Sequence, residues 1–95
     1  MSTIYKRWSI RAGSTTRFQT DTRPWLPEGA TLTSFVPDFT GTPFTAEAPV
    51  ISNNIVQQKI TADAGAPAGS SYTIQVDVAN DQGETDRQAF ILEVG

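Results

Sequence analysis

The chain contains no cysteine and no histidine. Without cysteine there is neither a disulfide framework nor a thiolate metal site, and a small secreted sandwich would commonly carry such a staple. Without histidine the commonest general base, the commonest transition-metal ligand and the neutral-pH switch are missing together. Catalysis, if any, would rest on carboxylates, hydroxyls, lysine or arginine. Positive charge is also short: 7 Lys and Arg stand against 10 Asp and Glu, a net charge of −3. That balance argues against nucleic acid as the main partner. No apolar run is long enough to span a bilayer, so no membrane is expected among the partners. The start Met1-Ser-Thr-Ile-Tyr-Lys-Arg-Trp8 reads directly as a strand, with no signal-peptide core after it, so synthesis in the cytoplasm is expected.

Sustained helical periodicity is the last absence, and strict alternation stands in its place. Tyr72, Ile74, Val76 and Val78 fall on one face of a run whose other face carries Thr73, Gln75 and Asp77. A half-buried strand requires this pattern, because successive side chains point to opposite faces. Asn80-Asp-Gln-Gly83 supplies a turn, and the return run puts Phe90, Leu92 and Val94 on one face.

Five earlier runs can be placed by the same reasoning. Ile4, Lys6, Trp8 and Ile10 share a face, with Tyr5 and Arg7 opposite; the second run spans 15–20 with Phe18 as its anchor. Arg23-Pro24-Trp25-Leu26-Pro27-Glu28-Gly29 reads as an ordered loop, since two prolines remove ladder donors. A third run spans 31–36 and closes at Pro37, and a fourth spans 44–51, interrupted by Pro49 as at a sheet edge. Asn53-Asn54 is a turn, 54–62 a fifth run, and Ala64-Gly-Ala-Pro-Ala-Gly69 a crossover of small residues. About seven short strands, separated by turn chemistry, predict an all-β, immunoglobulin-like antiparallel β-sandwich. Ninety-five residues make a single domain, 1–95, able to bury roughly two-thirds of its unfolded surface.

Three segments together resemble a known group. They are Trp25-Leu-Pro-Glu-Gly-Ala-Thr-Leu32, Ala68-Gly-Ser-Ser-Tyr-Thr-Ile74 and Gln82-Gly-Glu-Thr-Asp-Arg-Gln-Ala-Phe90. In their order and spacing they resemble small immunoglobulin-like structural proteins of tailed bacteriophages, the fibre–tail adaptor and head-decoration type. The resemblance covers the chain from about Phe18 onward. It implies a non-enzymatic virion protein that docks on phage capsid, tail or fibre proteins, with symmetry-related copies of itself around it. The beginning departs from the group: Lys6-Arg-Trp-Ser-Ile-Arg11 stands where an acidic Asp-Pro segment is usual.

Few constellations carry chemistry. Asp38 with Glu47, or Asp77 with Glu93, could serve as a carboxylate pair, but on alternating strands they read most simply as solvated charges. Asp77, Asn80, Asp81, Glu84 and Asp86 offer hard oxygen atoms around one hairpin, without a regular calcium-loop spacing. No enzyme activity, metal or cofactor is therefore expected. The aromatic and basic front end is the best interaction candidate. Residues 1–11 form a possible interaction strand with Tyr5, Arg7, Trp8 and Arg11 as contacts, because aromatics and arginine are enriched at interface hot spots. Trp25 is a second contact candidate, though a core position suits it as well. Tyr72 is placed either to hydrogen-bond back to the corner before it or to pack as an ordinary aromatic. A carbohydrate- or cell-surface-binding module is the alternative function, with Trp25, Phe39 and Phe44 as a stacking platform; it requires Trp25 to be exposed.

Overall fold

The computed structural model describes residues 5–95, except the side chain of Tyr5. Its strands are β1 (Tyr5–Ile10), β2 (Thr15–Asp21), β3 (Leu32–Asp38), β4 (Phe44–Ala46), β5 (Val50–Ser52), β6 (Ile55–Ala62), β7 (Ser71–Asn80) and β8 (Thr85–Val94). One 3-10 turn, Arg23–Trp25, interrupts them, and no α-helix occurs among the described residues. The strands form two sheets, as a β-sandwich requires. Sheet I has the order β1-β8-β7-β3; sheet II has the order β2-β6-β4, with β5 also paired to β6.

The closing hairpin runs as its alternation predicts. Ile74 lies opposite Phe90 and Tyr72 opposite Leu92 in the β7–β8 ladder, and these residues face the core. Ile74, Val76 and Leu92 are completely buried. At 25 cal/mol per Å2 of apolar surface, each such side chain stabilises the fold by about 2 kcal/mol. The same face of β8 continues as Asp86 and Gln88, which the apolar pattern does not foretell. Gln88 is buried, and its Nε2 donates to the Asp86 carboxylate.

Three departures from the sequence reading stand out. The fourth run is two strands rather than one, since the ladder to β6 is interrupted at Ala48 and Pro49, after Glu47 N has donated to Lys59 O, and resumes one residue out of register at Val50. Pro37 lies within β3 instead of ending it, opposite Val76; this is tolerated because β3 is an edge strand, with a ladder on one side only. The sandwich is not wholly antiparallel: β1 runs parallel to β8, pairing Lys6 with Phe90, Trp8 with Leu92 and Ile10 with Val94. The expected apolar face of β1 is seen from Lys6 to Ile10, Ile4 lying outside the described residues.

One core cluster fills the space between the sheets. Phe18, Val56 and Ile60 come from sheet II and Phe35, Ile74, Phe90 and Leu92 from sheet I. Tyr72 packs edge-on against Phe44, ring centroids 5.3 Å apart. Among the described residues its hydroxyl makes no hydrogen bond to the corner before it, so the aromatic-packing role is the one observed.

Candidate functional site

The two long flanks of the sandwich are built differently. On one flank lie the edges β3, β4 and β5, with β5 beside β3. Here Pro37 sits within a strand, Pro43 immediately before β4 and Pro49 immediately before β5, and two of the three strands are only 3 residues long. Short edges and prolines are devices that stop another chain from adding a strand. Val36 (58% exposed) and Val50 (64%) are the large apolar side chains left outside here.

The other flank has edges β1 and β2, neither of which contains proline. Among the described residues, no strand pairs with the outer side of either. Which backbone groups are free follows from the ladder. Thr22 N donates to Asn54 O (2.9 Å) and Ala62 N to Ser14 O (3.0 Å), bracketing the β2–β6 pairing. Antiparallel pairs alternate between bonded and non-bonded, so Thr16, Phe18 and Thr20 turn their amides and carbonyls toward β6. The backbone groups of Thr15, Arg17, Gln19 and Asp21 point out from the edge. In β1, Gly95 N donates to Ile10 O (2.8 Å), which by the same alternation turns Lys6, Trp8 and Ile10 to β8 and Arg7 and Ser9 outward.

The side chains predicted to make contacts are distributed unevenly over this flank. Trp8 is half-buried and closes the sandwich: its ring stacks on Phe18 of the opposite sheet at 4.8 Å and lies 4.6 Å from Phe90. Arg7 is exposed but already holds Glu93 in an ion pair. Arg11 is exposed in the turn after β1. The backbone of Tyr5 pairs with Ala89, while its side chain lies outside the described residues. Trp25 is away from this group. It is 7% exposed, parallel to Phe35 at 6.4 Å, so its ring occupies the core and offers a partner no face.

Sequence reasoning missed the outer face of sheet II. The β2–β6 register makes successive polar rungs: Thr15 with Thr61, Arg17 with Lys59, Gln19 with Gln57. The threonine hydroxyls bond at 2.7 Å, and Gln57 Nε2 donates to Gln19 Oε1 at 3.1 Å. Arg17 and Lys59 form a like-charged rung, which is unfavourable by itself, and neither has an ion-pair partner among the described residues. The polar alternation of both strands was readable; their register was not.

The acidic hairpin is occupied by its own structure. Asn80 Oδ1 accepts from Gln82 N (2.9 Å) and Glu84 N (3.1 Å), while its amide donates to Glu84 Oε1 (3.0 Å). Asp81 Oδ1 accepts from Thr31 N at 2.9 Å, and Asp77 binds Arg87 Nε at 2.9 Å. No group of three acidic side chains is placed to hold a metal ion among the described residues. Asp77 and Glu93 lie opposite Arg87 and Ser71 respectively, six residues apart along the ladder. That is about 20 Å, too far for a glycosidase pair.

No family model and no curated protein matches this chain.

Proposed function

We propose that this protein is an immunoglobulin-like, non-enzymatic structural component of a tailed-phage virion, docking on capsid, tail or fibre proteins as a decoration or adaptor protein. The observation that carries the reading is the open flank: two neighbouring edge strands, free of proline, beside a flank whose edges are blocked. A lattice-docking module needs such a surface on one side only. Repeated copies on a symmetric lattice would turn weak single contacts into stable attachment.

Strand order supports the immunoglobulin-like part. That plan places the second, fifth and fourth strands in one sheet and the third, sixth and seventh in the other. Here β2, β6 and β4 share one sheet and β3, β7 and β8 the other, with β1 beside the last strand. The carbohydrate-binding alternative loses its platform, because Trp25 and Phe44 (4% exposed) are both buried.

The test is co-sedimentation of the purified protein with phage heads, and separately with tails, that lack it, with its own mass measured by light scattering. Saturable binding to one particle at fixed stoichiometry is expected, and the particle bound distinguishes decoration from adaptor. Binding to neither particle, together with a shift on glycans, overturns the reading.

A further inference from the structure

We infer that β2 is the docking edge and that it accepts an extended strand of a partner protein bearing carboxylates on the side that lines up with Arg17. The inference rests on the docking reading for the existence of a partner, and adds where and by what chemistry it is held.

The backbone argument selects β2. Among the described residues it is the longer of the two open edges, 7 residues against 6, and it directs the amides and carbonyls of four alternate residues, Thr15 to Asp21, away from the molecule. An added strand would satisfy them as a new ladder, the mode in which main-chain bonds supply affinity and alternate side chains specificity. Pairing is regular along this edge, with no bulge in the β2–β6 register.

The charge argument selects the partner. Arg11 lies in the turn before β2 and Arg17 at its middle, while Asp21, the carboxylate that ends the strand, is already taken up by Arg23. Lys59 lies directly across from Arg17. Glu47 stands on the far side of Lys59, its amide donating to the Lys59 carbonyl at 3.1 Å, so the carboxylate nearest this rung sits away from the open edge. Arg17, at the edge itself, has no ion-pair partner among the described residues, although three other arginines do. A strand laid along β2 places alternate side chains on the Arg17 face, a few ångströms from it; carboxylates there relieve the repulsion and cations aggravate it. The same reasoning disfavours a second copy of this chain. Joining β2 to β2 in full antiparallel overlap sets Arg17 across from Gln19, with the neighbouring Asp21 already held by its own Arg23. Joining β2 to β1 meets Arg7, and the remaining edges contain a proline or follow one directly.

The test uses the full chain and two acetylated seven-residue probe peptides, one alternating valine with glutamate and the other valine with lysine. Amide resonances are followed by NMR during titration. The glutamate peptide is expected to shift Thr15, Arg17, Gln19 and Asp21 saturably and to bind about tenfold more tightly than the lysine peptide, the difference shrinking as salt is raised. Arg17→Glu, which makes the rung with Lys59 attractive and should fold at least as well, is expected to reverse the peptide preference. Gln19→Pro removes an outward-facing backbone donor, together with the exposed side-chain bond to Gln57, and should abolish binding of both peptides, while Gln19→Ala, which removes the side-chain bond alone, should leave binding intact. Equal affinity for the two peptides, shifts centred on another edge, or no shift at millimolar peptide overturns the inference. Failure here with saturable binding to particles would leave the docking reading standing and move the contact elsewhere. Success here without particle binding would sink the virion reading alone.

Discussion

At Asn54 three segments meet through one residue. It and Asn53 have φ of 63° and 51°, the left-handed pair that a two-residue hairpin between Ser52 and Ile55 needs. Its carbonyl accepts from Thr22 N at 2.9 Å and Thr22 Oγ1 at 2.7 Å, and its side-chain oxygen accepts from Leu32 N at 2.8 Å. The end of β2, the start of β3 and the β5–β6 turn are thereby tied together. Asn54→Ala loses the bond to Leu32 and strains the backbone, so a loss of about 2–4 kcal/mol is expected in denaturant unfolding. Asn54→Gly relaxes the φ and should lose less; equal losses would refute this division. Asp21 tests electrostatics at the same scale. Hydrogen bonds from the Arg23 side chain, then from its backbone amide, lower its carboxyl from 3.8 to about 2. Because the folded value lies below the unfolded one, its contribution to stability is present above the unfolded value and fades as pH falls toward 2. An NMR titration of the Asp21 carboxyl should show that midpoint, and Arg23→Gln should return it toward the ordinary value.

Among the longer strands, β1 is held in its sheet from one side only. It pairs with β8 alone, and it meets the core through buried Ile10 and through Trp8, which stacks on Phe18 of the other sheet. Trp8→Ala removes a half-buried aromatic and both ring contacts, at a cost of about 2–4 kcal/mol. Local opening should follow, with hydrogen exchange accelerated more at the amides of Lys6, Trp8 and Ile10 than at the completely buried Ile74 and Val76 of β7. Uniform acceleration across both strands would mean that β1 is part of one cooperative unit instead. The half-buried Trp8 also explains why an aromatic in a terminal strand need not be a contact residue. Its alternation partner Arg7 faces solvent, yet is held by Glu93.

For the whole molecule, the division of labour is between flanks. Prolines and three-residue strands close one side, while the other presents unpaired backbone beside the Arg17–Lys59 rung, so association there should be directional and sensitive to salt. The expectation of binding to heads or tails belongs at this scale, since a single edge strand supplies few bonds and the lattice supplies the multiplicity. Most carboxylates lie away from this edge: Glu84 and Asp81 belong to the β7–β8 turn, and Asp77 and Glu93 are committed to Arg87 and Arg7 on the outer face of sheet I. The two that do lie near it are Asp21, held by Arg23, and Glu47, on the far side of Lys59.

By itself the sequence determined the strands, their buried faces and most of the turns, because alternation and turn residues are local properties. Tyr72 to Val78, Phe90 to Val94 and Asn53-Asn54 are all legible in this way. It placed Trp25 in a loop without deciding whether the ring pointed in or out, and it read 44–51 as one run because a strand can leave its ladder without changing its pattern. Tertiary structure alone decided the parallel placement of β1 beside β8, the tolerance of Pro37 at an edge, and the meeting of Arg17 with Lys59. Each depends on register or neighbourhood between residues far apart in the chain, and a period-two pattern is the same for every partner a strand might have.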